Sequence, residues 1–283
     1  MKKLIILTMI LGLAACGSDD EPTVGSVPTD TIPDSSEPED SAPDDSPSEV
    51  PRYWMNDDLP LDVKISEDFD NSSDFTFSNG AIQGFGWVQM SWEGAVPGKT
   101  FFGVSELVMN QAYTNIDDFN DGEIGVYKSY TWYPEFPSEA VAVTRYLAYR
   151  RNVGSSNEFL EMAHADIFLN YRDYTFSFGG LPSHYDILSV LTHELGHLLG
   201  LGDVGQSSAD VMFGSLQADE SRRTLSGLDE TSIRDLYTNH AYSPEDSEGE
   251  GELVVGILAL TAAGDCNHYE DGELMHTHKA NKK

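Results

Sequence analysis

The chain is poor in cysteine, in positive charge and in long apolar runs. Its 283 residues include two cysteines, Cys16 and Cys266, which excludes a disulfide framework and a cysteine-rich zinc knuckle. Sixteen Lys and Arg stand against 48 Asp and Glu, a formal charge of -32. No cluster of basic residues is longer than a pair, and such a surface repels phosphate backbones, so nucleic acid is excluded as a partner. The apolar stretches at 4–13 and 253–263 fall short of the roughly 20 residues a membrane-spanning helix needs. What remains suits a globular fold: 40% hydrophobic residues, with 13 Tyr and 13 Phe, are ample for a packed core.

Composition divides the chain. Lys2-Lys3, the apolar run 4–13 and the small residues Ala14-Ala15 form an export signal at 1–15. Leu13-Ala14-Ala15-Cys16 resembles the bacterial lipobox, which implies an acylated Cys16 as the first mature residue. Several acyl chains on one residue anchor a protein firmly, since each buried methylene contributes about 0.8 kcal/mol. The expected location is a bacterial cell envelope, lipid-anchored and extracytoplasmic; Gly17 in place of Asp favours the outer membrane where there are two. Residues 16–51, rich in Pro, Ser, Asp and Glu, read as an extended acidic tether. A folded domain is expected at 52–242, an acidic linker at 243–252 and a tail of unassigned role at 253–283.

Within 52–242 the apolar pattern predicts strands at 61–66, 101–108, 123–129, 140–149 and 158–169. It also predicts a helix carrying Ile82, Phe85, Val88 and Trp92 on one face. Ser183 and Asp186 read as a capping box opening an apolar helix over 184–200. The class is α+β. On that last helix stands His193-Glu194-Leu195-Gly196-His197. At 3.6 residues per turn His193 and His197 share a face and can reach one metal ion, while Glu194 is turned aside and is placed to act as general base on a metal-activated water. Gly200 tolerates the positive φ at which the helix stops, letting the chain bend back to offer Asp203 as a third ligand. Two nitrogens and one carboxylate leave a fourth zinc position open, as catalysis requires.

The five-residue motif extended by Gly200 and Asp203 resembles the metzincin zinc peptidases, the matrixin group in particular. Asp210-Val211-Met212-Phe213 is similar to that family's Met-turn, with Met212 beneath the metal. The segment Leu225 to Tyr237 is similar to its last helix, with Ser226 or Asp229 at the cap and Ile233, Leu236 and Tyr237 facing in. Pro60-Leu61 and Ala163 to Asn170 also look like matrixin segments. The resemblance implies a twisted, mainly parallel sheet with an active-site helix and a C-terminal helix, one catalytic zinc, and an extended polypeptide substrate. That substrate is expected along the sheet edge by strand addition, its side chain entering a pocket walled by 213–225, where Arg222 and Arg223 occur. The family's usual third ligand is His, and here Asp203 stands in its place.

Weaker signals surround the motif. His164 falls near a ligand position of the family's structural zinc, but a lone His on a strand reads as a hydrogen-bonded core residue. The loop Asp117-Asp118-Phe119-Asn120-Asp121-Gly122-Glu123 has the oxygen density calcium favours, without EF-hand spacing, and reads equally as an acidic hairpin turn. The tail carries Cys266, His268, His276 and His278. Its apolar stretch would fit a strand on the core, and a frayed hydrophilic tail is the reading preferred. The expectation is a monomeric, lipid-anchored zinc endopeptidase. A catalytically silent binding module on the same scaffold and a metal-scavenging lipoprotein using the His-bearing tail are the alternatives.

Overall fold

The computed structural model describes residues 49–70, 80–179, 181–203, 207–238, 251–262 and 266–278. The export signal, Cys16, the tether as far as 48 and the linker as far as 250 lie outside them. The described residues fall within one compact unit, Ser46–Lys283.

Eleven strands and three α-helices alternate along the described chain. They run β1 (Arg52–Tyr53), β2 (Val63–Ser66), α1 (Gly80–Ala95), β3 (Glu106–Val108), β4 (Ile124–Ser129), β5 (Ala140–Arg151) and β6 (Phe159–Asn170). There follow β7 (Phe176–Ser177), β8 (Tyr185–Asp186), α2 (Ile187–Leu198), α3 (Gly227–Thr238), β9 (Glu252–Thr261), β10 (Cys266–Glu270) and β11 (Glu273–His278). The main sheet has the order β11-β10-β9-β5-β6-β4-β2-β3, with β1 paired to β6. Its half from β3 to β6 is parallel. The half beyond β6 is antiparallel. β5 and β6 are central and buried on both faces over most of their length, which is why they read as near-continuous apolar runs rather than alternating ones.

Helices α1 and α2 pack against each other on one face of the sheet, α2 also meeting β5, β6 and β9. Trp92 ties them, its indole N–H donating to the Thr192 carbonyl at 2.9 Å. Phe119, Tyr127, Trp132, Tyr133, Phe136 and Phe168 form a second aromatic cluster that takes in the loops between β3 and β5.

Several expectations are corrected. Of 101–108 only Glu106–Val108 is a named strand: Phe102 makes an isolated parallel bridge with Leu61, and the amides of Phe101 and Phe102 are taken by Glu93 Oε1 rather than by a strand. The active-site helix starts at Ile187, not near His184, since Tyr185–Asp186 pairs with Phe176–Ser177 and Ser183 sits at φ 63°. Its cap is Asp186, whose carboxylate accepts the Ser189 N–H at 3.0 Å. The tether does not extend to 51: Glu49 pairs with the buried Arg52 at 2.5 Å, and the Pro51 carbonyl takes the Leu160 N–H. The largest revision is at the other end. The apolar stretch that would fit a strand on the core forms β9, which covers β5 along its length from Ala140↔Thr261 to Arg150↔Glu252, so the frayed tail preferred from the sequence is overturned there. The folded unit therefore passes 242, and β5 is no free edge for a substrate.

Candidate metal centre

The site is built at the C-terminal end of α2, where four devices fix the chain. The helix closes on Gly200 at φ 97°. Gly200 N–H bonds the His197 carbonyl at 2.8 Å and Leu201 N–H the Gly196 carbonyl at 3.0 Å, the paired pattern of a Schellman stop. A Cβ on Gly200 would stand 2.1 Å from the Arg52 carbonyl oxygen, so space and φ both demand glycine. From above, Trp54 Nε1 donates to Leu198 O at 2.7 Å and Tyr237 Oη to Leu199 O at 2.9 Å. The bend that follows carries Asp203 back beneath the helix.

That bend brings three donors together. Asp203 Oδ1 lies 3.5 Å from His193 Nε2 and 3.7 Å from His197 Nε2, and one ligand atom from each of the three falls within 4.8 Å of the other two. Each imidazole is oriented from behind: His193 Nδ1 bonds Val211 O at 2.8 Å and His197 Nδ1 bonds Leu201 O at 2.9 Å. Carbonyl oxygens only accept, so both Nδ1 atoms carry the proton and both Nε2 atoms turn a lone pair inward. Those Nε2 atoms are buried with no hydrogen-bond partner among the described residues. Burial brings the His193 pKa down to about 4, and burial together with the neighbouring His193 holds His197 well below its usual value. Neutral rings with orphaned inward nitrogens are what a metal ion needs.

Glu194, one residue along the helix, is fully buried. Its Oε2 accepts the Thr144 hydroxyl from β5 at 2.6 Å. Burial pushes its pKa well above the carboxylate range; the Thr144 hydrogen bond opposes this, the Asp203 charge adds to it, and the Leu260 backbone amide on β9 again favours the charged form. Met212 is buried under the same helix turn, its sulfur so close to Gly196 that a Cβ there would meet it at 2.3 Å.

The Matrixin family model matches residues 58–238, more than half of the chain. This chain belongs to the matrixin family. No curated protein matches it. This matrixin is thus a zinc metallopeptidase of metzincin type, and the His193, His197 and Asp203 donor set fits zinc in both atom type and number.

Three contributions were not legible in the sequence, although it singled out two of the residues that make them, Asp229 and Arg222. Asp229 accepts the N–H groups of Val211 at 2.9 Å, Met212 at 3.1 Å and Ser226 at 2.7 Å, so one carboxylate caps α3 and fixes the Met212 turn. Its cap role was legible in the Ser226-x-x-Asp229 spacing; its reach across 17 residues was not. Arg222 is buried and donates to the carbonyls of Asp210 and Phe213 at 3.0 and 3.1 Å and to that of Ser215, bracing the expected pocket wall. Thr144 carries no sequence signal at all.

The other candidates fall elsewhere. His164 Nε2 pairs with Asp166 Oδ2 at 2.8 Å inside β6. Asp117 and Asn120 give their side-chain oxygens to Arg145. His268 is buried on β10, with Nε2 3.2 Å from Tyr146 Oη and Nδ1 3.1 Å from Glu49 Oε1. Cys266 lies opposite His278 in the β10–β11 register. Arg223 pairs with Asp186, beside a cavity of about 370 Å³ formed with Trp87, Leu188 and Thr192.

Proposed function

We propose that this matrixin is an endopeptidase in which His193, His197 and Asp203 hold the zinc, Glu194 handles the proton and Met212 supports the turn below. The observation that carries it is the convergence of three buried ligand atoms within 4.8 Å beside a buried carboxylate on the same helix. Zinc, when bound, supplies a Lewis acid that acidifies water and polarises the scissile carbonyl. Glu194 takes the proton from the attacking water and returns it to the departing amine. Thr144 holds the carboxylate in place. The oriented imidazoles keep the donor geometry fixed without reorganisation. We further read the enzyme as carried to the cell envelope by acylated Cys16, acting outside the cytoplasm on extended polypeptide.

The test is digestion of casein and a quenched peptide library by the zinc-loaded chain beside Glu194→Ala, with zinc quantified. Chelator-sensitive cleavage lost in Glu194→Ala, zinc staying near one per chain, is the expected result. Cleavage that persists in Glu194→Ala overturns the assignment of the base. Zinc bound in both proteins with no cleavage by either points to latency or to the silent binding module, which an opened form of the chain tells apart.

A further inference from the structure

A slot one strand wide runs past Glu194, and β9 fills it. One wall is β5, paired antiparallel with β9 through Thr144↔Leu258 and Ala142↔Leu260. The other wall is the segment after Met212: Thr261 N–H donates to Gly214 O at 3.1 Å, and Leu216 N–H to Thr261 O at 3.0 Å. Ser215 and Thr261 form a parallel bridge, and Gln217 Nε2 reaches Ala262 O at 2.7 Å. An extended peptide entering between these walls would use the same backbone donors and acceptors. In the middle of the slot the Leu260 amide, the nitrogen of the Ala259–Leu260 bond, faces the Glu194 carboxylate.

Coverage is complete at the chemical groups. His193, Glu194 and His197 are 1%, 0% and 0% exposed, whereas a polypeptide must reach them to be cut. Both walls lie inside the matched span 58–238, and the occupant comes from beyond it. The covering strand is itself held: Arg150 on β5 pairs with Glu270 on β10 at 2.6 Å. An ordinary extra strand would pair with β5 but has no need to bridge to the second wall or to set an amide against the proton-handling carboxylate.

We propose that β9 is an intramolecular pseudosubstrate, centred on Ala259–Leu260, that keeps the cleft closed until it is displaced. This rests on the peptidase reading of the same site. Polypeptide then enters by exchanging with β9 for the edge of β5, and the latency device of this chain lies at its C-terminal side.

Gly256 offers a way to open the slot without touching the site. It sits opposite Tyr146, and a Cβ there would come within 2.0 Å of the buried Tyr146 ring, so Gly256→Val should lift β9 off β5. A second form inserts a site-specific protease sequence between Glu245 and Asp246, cut after folding and freed of the C-terminal fragment. Affinity for a zinc-directed peptide hydroxamate is measured by calorimetry on zinc-loaded natural chain, Gly256→Val and the nicked form, with zinc content and casein turnover alongside. At least tenfold tighter hydroxamate binding is expected in either opened form, reversed by a synthetic peptide spanning 252–262. Equal affinity in folded, zinc-loaded forms overturns the pseudosubstrate. Tighter binding with no turnover in any form sustains the occlusion and removes the peptidase reading instead.

Discussion

Thr144 on β5 donates its hydroxyl to Glu194 on α2 across 2.6 Å, joining the sheet to the helix of the metal centre at a fully buried carboxylate. The same hydroxyl lies 3.2 Å from the Glu194 backbone carbonyl, so a single β-branched residue fixes both ends of its partner. Thr144→Val keeps the shape and removes the donor. Turnover should fall about 10–100-fold with zinc content unchanged, the cost found for losing groups that orient a site. A loss of zinc in parallel with activity would assign Thr144 to the fold rather than to Glu194, and kinetics with metal analysis separate the two.

Asp229 joins α3 to the turn that carries Met212, and through Val211 to His193. Asp229→Asn leaves one oxygen for three N–H groups. A buried donor without its acceptor costs about 1–3 kcal/mol, so urea denaturation should show a loss of that size. Zinc affinity should weaken as well, because the carbonyl orienting His193 is no longer held. Unchanged zinc affinity in a chain destabilised to that extent would disconnect the turn from the metal centre.

Asp186 gives the start of α2 its acid response. Burial raises its pKa, but Arg223 and Ser189 together outweigh burial and leave it below the ordinary value. A depressed folded pKa adds stability above the unfolded value of about 3.9 and loses it as pH falls toward the folded value. Asp186→Asn keeps a cap acceptor but loses the charge that faces Arg223, so it should be less stable than the natural chain at neutral pH, by no more than about 1 kcal/mol for a partly exposed ion pair. The difference should shrink below about pH 4. Thermal unfolding of both proteins from pH 7 to pH 3 reads this directly, and a gap constant with pH would count against it.

The proposed anchoring rests on one thiol. Cys16→Ser should shift the protein from the detergent phase to the aqueous phase on phase partitioning of cells expressing it, and remove incorporation of labelled fatty acid. The isolated enzyme should keep its zinc and its activity, since the site lies far along the sequence from residue 16. Retention in the detergent phase would end the lipoprotein reading.

Legibility followed the range of the interaction that decides each feature. The pair His193 and His197, the intervening Glu194 and the stop at Gly200 are set by helical period and by φ, so they stand in the sequence. β4, β5 and β6 were readable within a few residues because apolar runs of that length bury on two faces wherever they lie. Boundaries failed where tertiary partners competed for the backbone. The amides of Phe101 and Phe102 went to the Glu93 carboxylate instead of a strand, and Tyr185–Asp186 left a helix for pairing with β7. The apolar centre of the tail was legible as a strand, but termini commonly fray, and that its mate is β5, about 110 residues upstream in the register, was not legible.

By itself the sequence determined a strongly acidic charge, an active-site helix and a metal-ligand spacing, all consequences of composition or of contacts within a few turns. Only the tertiary structure decided that Asp229 holds the Met212 turn, that Thr144 holds Glu194, and that β9 crosses the cleft. Each of these joins segments distant in the chain through hydrogen-bonding groups that every residue or many residues possess. Backbone amides of Leu260 and Thr261 look like any others until the fold sets a carboxylate and a second wall beside them.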